Sequence, residues 1–434
     1  MKNSEVKRQL INGLEALIGE NVCICGWVHR IRRLKNVTFI IIRDRTGLIQ
    51  CVLSPDIEGH DELTHESVVK VMGSIVQSKN AYGEVELLVN QLRLLNLAEL
   101  ELPIQVNKSD LEVSIETLLE HRVLGLRHPK EQAIFRIQAS IGEYFSEFLR
   151  REGFTEIHTP KLVKEGAEGG ANVFKLDYFG ETAYLAQSPQ FYKQMMVISG
   201  MERVFEIGSV FRAEAHSTSR HLNEYVSLDL EMAFIEDEYE LMRLETELLR
   251  HMMGHLSVQH KKELDLLEVE LPKIPDTIPN IKLSEAIEIL KQEYDKNELD
   301  GDLDPEGEKR ISEYIKRKFD SEFVFLTHYP KTKRPMYTMP CGETETHSFD
   351  LVFRGVEITT GGRRIHDYKQ LVERMHAKGL NPEAYTSYLE AFRYGAPPHG
   401  GLAIGLERLT ALLLGLSNVR RTSLFPRDGK RLTP

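Results

Sequence analysis

The spacing of apolar and polar positions changes period several times along this chain. Residues 5–18 place apolar side chains at helical spacing, which predicts a short leading helix. From 21 to about 97 the period falls to two, in the runs VCICGWV, VTFIIIR, LIQCVL, VVKVMGSIV and VELLVNQLRLL. Turn formers such as Asp44, Arg45, Thr46 and Gly47 separate them, and Gly26 and Gly73 mark bends. Short strands packed this densely predict a small closed barrel. An OB-fold is the leading candidate, and an SH3-like barrel would give a similar pattern. Such barrels commonly bind single-stranded nucleic acid.

Residues 98–130 hold Pro103, a charged run and Arg127-His128-Pro129, and read as a hinge or linker. A long amphipathic helix is predicted over 131–151, then a strand in FTEIHTPKLV at 154–163. Beyond it, strands mix with helices without βαβ regularity, which predicts an α+β fold with an antiparallel sheet. Further helices are expected at 238–258 and 306–319, and the acidic run 283–303 is expected on the surface. The predicted divisions are therefore 1–102 for the barrel, 103–130 for the linker and 131–434 for the second domain.

Composition narrows the classes. With 434 residues, 41% hydrophobic and 28% charged, the chain can bury two or three ordinary globular cores. No apolar run approaches the ~20 residues of a membrane-spanning helix. The opening Met1-Lys2-Asn3-Ser4 is unlike a signal peptide, so a cytoplasmic location is expected. The four cysteines (Cys23, Cys25, Cys51 and Cys341) are too few for a disulfide framework and are expected as reduced packing residues. A net charge of −11 argues against non-specific coating of nucleic acid. It leaves room for local patches such as Arg30, Arg32, Arg33 and Lys35, beside the strand that carries Phe39.

Two segments carry the chemistry. Residues 211–232 read FRAEAHSTSRHLNEYVSLDLEM, and 400–409 read GGLAIGLERL. The first puts Arg212, Glu214, Arg220, His221 and Glu224 in one window between strand-like runs. The second brings Arg408 into a helix directly behind a glycine-rich strand end. Each guanidinium offers a planar fork of donors to phosphate oxygens and stays charged at any working pH. Taken alone, each segment fits a structural ion pair equally well. Together, on a sheet and a helix start, the two arginines suit a bent polyphosphate.

In this order the segments resemble the second and third signature motifs of the class II aminoacyl-tRNA synthetases. Within that class the chain is most similar to the aspartyl, asparaginyl and lysyl subgroup, and there to aspartyl enzymes of the archaeal type. The likeness runs over nearly the whole chain, to the ending FPRDGKRLTP at 425–434. The helix at 131–151, with a strand ending in Pro160, is similar to the first motif, which builds a dimer interface. The resemblance implies an N-terminal OB-fold anticodon-binding barrel plus a class II antiparallel-sheet catalytic domain with flanking helices and a helical insertion. It also implies a homodimer that joins L-aspartate to tRNA with ATP and Mg2+.

The same resemblance assigns residues. Arg212 would grip the α-phosphate and Arg408 the γ-phosphate of bent ATP. Glu214, Arg220, His221 and Leu222 would cover the nucleotide, Tyr225 would stack on adenine, and Gly405 would complete the ATP set. In FDLVFRGVEITTGG at 349–362, Glu357 and Thr360 match metal-binding positions, with Asp350 in support. Hard oxygen donors of this kind suit magnesium. For the substrate, Arg364 would read the β-carboxylate, with Lys193 beside it in QSPQFYKQ at 187–194 and Ser188 and Gln190 lining the site. Thr360 and Arg212 reach the same amino acid. Glu168, in the glycine-rich EGAEGG at 165–170, would meet the α-ammonium. On the barrel, Phe39 and Gln50 match positions that contact the central anticodon base, with Arg30 nearby; a core Phe is the competing reading of Phe39.

Archaeal-type aspartyl enzymes either charge only tRNA(Asp) or also misacylate tRNA(Asn). The positions that differ are read here as His29 and Tyr82. His29 matches the relaxed kind and Tyr82 matches neither, so relaxed specificity is expected. The rivals are an asparagine–tRNA ligase on the same scaffold, a synthetase-derived amide ligase, and a non-catalytic RNA-binding protein. Arg364 with Lys193, and the YGAPPHGG and FPRD segments, argue against the first. Amide ligases usually lack a barrel, and the complete set Arg212, Glu357, Thr360 and Arg408 argues against the last.

Overall fold

A computed structural model describes residues 7–166, 172–214, 218–297, 299 and 301–434. The chain divides into two compact units, Met1–His128 and Pro129–Pro434.

In the first unit, β1 (Asn21–Leu34), β2 (Val37–Arg43), β3 (Leu48–Leu53), β4 (Val68–Asn80) and β5 (Gly83–Asn96) close a barrel in the order β1-β2-β3-β5-β4. The period-two pattern explains it: Ile24, Val28, Ile40, Ile42, Ile49, Cys51, Val69, Val71 and Leu87 point inward and are buried. Gly26 and Gly73 stand where strands approach closely. A Cβ would lie 2.3 Å from the Arg43 carbonyl oxygen at Gly26 and 2.0 Å from that of Leu88 at Gly73. The leading helix is a 3-10 helix over Ile11–Leu17. Asn12 and Gly13 are weak α-formers, and Asp44 and Thr46 take the backbone N–H groups of Ile11 and Asn12. Past the barrel, residues as far as His128 belong to this unit. They include the short helices α1 (Ile115–Glu120) and α2 (Arg122–Gly125) and a small cluster of Ile104, Val106 and Leu118.

The second unit opens with α3 (Pro129–Arg151) and β6 (Thr155–Glu156). The single strand expected over 154–163 is broken. After β6 the chain pairs again only at β7 (Leu162–Val163), because the Thr159 N–H and Oγ1 donate to the Glu206 carboxylate instead of to a strand, just before Pro160. β8 (Lys175–Tyr178), β9 (Glu181–Leu185) and α4 (Gln190–Met196) follow, then the long pair β10 (Arg203–Phe211) and β11 (Glu224–Ala233). Next come α5 (Tyr239–Gln259), α6 (Lys261–Leu267), β12 (Asn280–Lys282), α7 (Leu283–Tyr294), α8 (Pro305–Phe319) and β13 (Phe323–Thr327). The chain then forms β14 (Pro340–Cys341), β15 (Glu345–Thr346), β16 (Ser348–Phe353) and β17 (Val356–Arg364). It finishes with α9 (Tyr368–Ala377), α10 (Thr386–Arg393), β18 (His399–Gly405) and α11 (Leu406–Leu413).

Eight strands make one sheet in the order β12-β13-β16-β17-β18-β11-β10-β6, parallel only at its two outer pairs. Helices α3, α5, α6 and α11 cover one face, where Leu228, Leu230, Met232, Leu402 and Ile404 join their apolar sides in the main core. The acidic run 283–303 is only partly surface, since α7 buries Leu283, Ala286 and Leu290. Charge and burial coexist there because helical spacing puts them on different faces.

Candidate active site

The uncovered face of the sheet is polar by the same alternation. Along β11, Tyr225, Ser227 and Asp229 line a cavity, while Leu228 and Leu230, alternating with them, enter the core. On β18, Ala403 and Gly405 line it while Leu402 and Ile404 turn away. The cavity holds about 450 Å³. Among the described residues, its charged wall carries Lys193, Arg212, Arg220, Lys333, Arg334, Arg364 and Arg408 against Glu214, Asp229, Glu357 and Glu407. A chain of net charge −11 has therefore gathered a cationic cleft, which focuses its field on an anionic ligand.

Of the residues expected in the site, Ser188, Gln190, Lys193, Arg212, Glu214, Arg220, His221, Leu222, Tyr225, Glu357, Thr360, Arg364, Gly405 and Arg408 all line this one cavity. Arg212 follows directly on β10, and its N–H donates to the Asn223 carbonyl oxygen across the hairpin (2.9 Å). Arg408, in the first turn of α11, donates from Nη1 to the Glu357 carbonyl oxygen (2.8 Å). Thr360 Oγ1 donates to Glu357 Oε1 (2.9 Å), so the two candidate metal ligands sit together. Asp350 does not line the cavity. It lies behind on β16, 5% exposed, in an ion pair with Arg334 (2.7 Å). Burial pushes its pKa up to about 6 against the Arg334 charge. Glu168 lies outside the described residues.

At the closed end, four acidic and basic side chains share a buried site. Lys193, 1% exposed, contacts Asp229 Oδ1 at 2.9 Å and Glu231 Oε2 at 3.3 Å. Arg364 donates from Nε to Glu231 Oε1 (3.0 Å) and from Nη2 to the Gly401 carbonyl oxygen (3.0 Å). Burial alone would raise the Glu231 pKa, but Arg364 and Lys193 outweigh it and hold the carboxylate below its ordinary range. Gly401 is required here, since a Cβ would lie 2.1 Å from Glu231 Oε2. Asp229 and Glu231 were not picked out from the sequence, although the alternation Ser-Leu-Asp-Leu-Glu at 227–231 is their signal. Two other missed groups carry no such pattern. Arg334 reaches the cavity from an irregular segment, stacked 3.7 Å from the Tyr329 ring centre. Glu308, on α8, pairs with Arg220 at 3.5 Å; burial and then Glu357 push its pKa up to about 7.

On the barrel, Phe39 is not a core residue. Ile40 and Ile42 turn inward and Phe39 faces out, directly across from Arg32, while Gln50 faces out on the next strand and donates to Glu86 (2.8 Å). Arg30 is exposed, its Nη2 donating to the Asn107 carbonyl oxygen (2.8 Å). Tyr82 sits in the β4–β5 turn. His29 is buried, 7% exposed, with Arg43 donating to its Nδ1 (3.1 Å). Burial, then the Arg43 charge, lowers its pKa to about 4, so the ring is neutral.

Comparison with known proteins agrees with this geometry. The profile of the family described as tRNA synthetases class II (D, K and N) matches residues 114–429, and that of the OB-fold nucleic acid binding domain matches 22–95. An aspartate–tRNA(Asp/Asn) ligase of Deinococcus radiodurans is 47% identical over 99% of this chain and 100% of its own length. The enzyme of the same name from Thermus thermophilus is 46% identical over 98% and 100%. The crystal structure of an asparaginyl-tRNA synthetase from Pyrococcus horikoshii with asparaginyl-adenylate superposes with a TM-score of 0.91. It is 32% identical over 99% of this chain and 100% of that one. With the motifs gathered in one cationic cavity and the family profile matched over most of the length, the chain belongs to the class II tRNA synthetases of the aspartate, lysine and asparagine group.

Proposed function

We propose that this chain is an aspartate–tRNA ligase that forms aspartyl-adenylate from L-aspartate and ATP and passes the aspartyl group to tRNA(Asp) and tRNA(Asn). The observation that carries the choice of amino acid is the pair Arg364 and Lys193 at the closed end of the cavity, where an anionic side chain finds fixed cations. Two relatives named for aspartate at 46–47% identity, against 32% for the asparaginyl structure, support the same choice over the asparaginyl alternative.

In the first step an α-carboxylate oxygen of aspartate attacks the α-phosphorus and pyrophosphate leaves. Both reactants are anions, so the protein's task is to neutralise and align them. Arg212 serves the α-phosphate, and Arg408 the far end of a bent triphosphate. Glu214, Arg220, His221 and Leu222 flank the nucleotide, Tyr225 offers its ring face to adenine, and Gly405, just before α11, lines the same cavity. Ser188 and Gln190 line the amino-acid end. Glu168 is assigned to the α-ammonium by family likeness alone. In the second step the terminal ribose hydroxyl of tRNA attacks the aspartyl carbonyl carbon and AMP leaves.

The oxygen donors of Glu357 and Thr360, with Asp350 behind, fit magnesium. When bound, it would offset phosphate charge. The barrel face with Phe39, Gln50 and Arg30 is the proposed anticodon surface, where an outward ring stacks on a splayed base. Relaxed tRNA choice rests on His29 and on the names of the two relatives. Burial of His29 means that it acts by shaping the surface beside Arg30. A homodimer through α3 and the segment to Pro160, and a cytoplasmic location, complete the reading. Among the described residues, no helix is long and apolar enough to cross a membrane. ATP–pyrophosphate exchange tests the first step: aspartate should drive it and asparagine should not, and exchange driven by asparagine alone would overturn the assignment.

A further inference from the structure

We propose that α3 and α5 together carry a transition-metal site, built from Glu147, His251 and His255 and separate from the catalytic cavity. Its ligand class is a divalent ion of intermediate softness, Zn2+ foremost. The two histidines are four residues apart on α5, so they lie on one face of the helix, one turn apart. Their ring centres are 4.2 Å apart. Glu147 comes from α3 alongside, and one ligand atom from each of the three lies within 4.8 Å of the others.

Two further observations point to an ion. His255 Nδ1 donates to the His251 carbonyl oxygen (2.9 Å), which fixes the tautomer and leaves Nε2 with a lone pair. Metal-binding histidines are commonly oriented by a bond of this kind. The His251 side chain is only 7% exposed, and its Nε2 is buried without a hydrogen-bond partner. Leaving such a nitrogen unmet is costly in a folded protein. Glu147 Oε2 stands 4.0 Å from it, too far for a hydrogen bond but a distance that an ion with bonds of ~2.0–2.2 Å spans.

Two imidazoles and one carboxylate suit Zn2+, and also Co2+, Ni2+ or Cu2+, better than Mg2+. An open groove lined by Arg151, Glu152, Glu247 and Arg250 gives water access to the remaining positions. Arg151, on the wall of this groove, lies over the Phe148 ring and beside Glu152 at 3.8 Å. A second cluster, His328, Cys341 and Glu345, already has a cation, since Lys282 Nζ donates to Glu345 at 3.2 Å. An ion at the first cluster would clamp the two long helices that back the sheet.

The test titrates metal-stripped protein with Zn2+ against a chromophoric chelator, in excess Mg2+ to fill oxygen-only sites. One Zn2+ per chain should compete and raise the melting temperature. His251→Ala and His255→Gln should each weaken binding by at least about tenfold and abolish the thermal shift. His255→Gln should keep wild-type pyrophosphate exchange, which confirms that its fold is intact. Equal Zn2+ affinity in the wild type and His255→Gln, or no competition by the wild type, overturns the proposal.

Discussion

Replacing Arg364 by glutamine removes two things at once, a counter-charge for Glu231 and the proposed grip on the substrate β-carboxylate. Glu231 is fully buried, and its contact with Arg364 Nε is 3.0 Å. Breaking a buried pair from one side costs ~3–5 kcal/mol. Lys193, 3.3 Å from the same carboxylate, remains, which places the loss near the lower end. Two charge-assisted hydrogen bonds to substrate, at ~1.5–3 kcal/mol each, make ~3–6 kcal/mol of binding and transition-state energy. That corresponds to ~10²–10⁴-fold in kcat/KM for aspartate. The double variant Arg364→Gln/Glu231→Gln separates the two effects. It removes one charge of each sign, so stability in urea should return to within ~1 kcal/mol of wild type. Aspartate-dependent pyrophosphate exchange should stay at the level of Arg364→Gln. Glu231→Gln alone completes the cycle. If exchange recovers together with stability, Arg364 is only a structural counter-ion, and the reasoning about the aspartate pocket fails.

Arg408→Ala should raise the KM for ATP by about tenfold or more while the KM for aspartate changes little, as expected for the loss of one charged contact to phosphate; an unchanged ATP saturation curve would remove it from the phosphate site. Glu245, held by Thr359 at 2.5 Å beneath the sheet, has its pKa raised by burial from 4.5 to about 8. Its stabilising contribution is full below about pH 4.5 and is lost as pH rises through 8, on the order of 3 kcal/mol by pH 7. Glu245→Gln should therefore flatten the dependence of the urea midpoint on pH between 5 and 8, and two parallel curves would show that this carboxyl ionises freely.

How far the fold could be read from the sequence depended on which side chains carried the signal. The barrel was legible because inward positions such as Ile40, Ile42 and Cys51 alternate with outward ones, and period two needs no distant partner to be recognised. Helices α3, α5 and α8 were legible from their apolar spacing. The break at 157–161 was not, because the group that draws Thr159 out of a strand is Glu206, 47 residues away. The site was legible wherever a motif stood beside a strand or helix end, as with Arg212 and Arg408. Arg334, on the cavity wall, and Glu308, which pairs with the cavity residue Arg220, escaped because long connections bring them there, and a lone charge on a helix or loop looks like solvated surface. Phe39 shows the opposite limit. Its neighbours left a core role equally open, and only the register against Arg32 turns it outward.

Aminoacylation with labelled aspartate and labelled asparagine, each against purified tRNA(Asp) and tRNA(Asn), reads the choice of amino acid and of tRNA in one experiment. Aspartate is expected on both tRNAs and asparagine on neither. Aspartate on tRNA(Asp) alone would remove the relaxed reading of His29 and leave the amino-acid pocket standing. Asparagine on tRNA(Asn) would contradict the claim that Arg364 and Lys193 select a carboxylate.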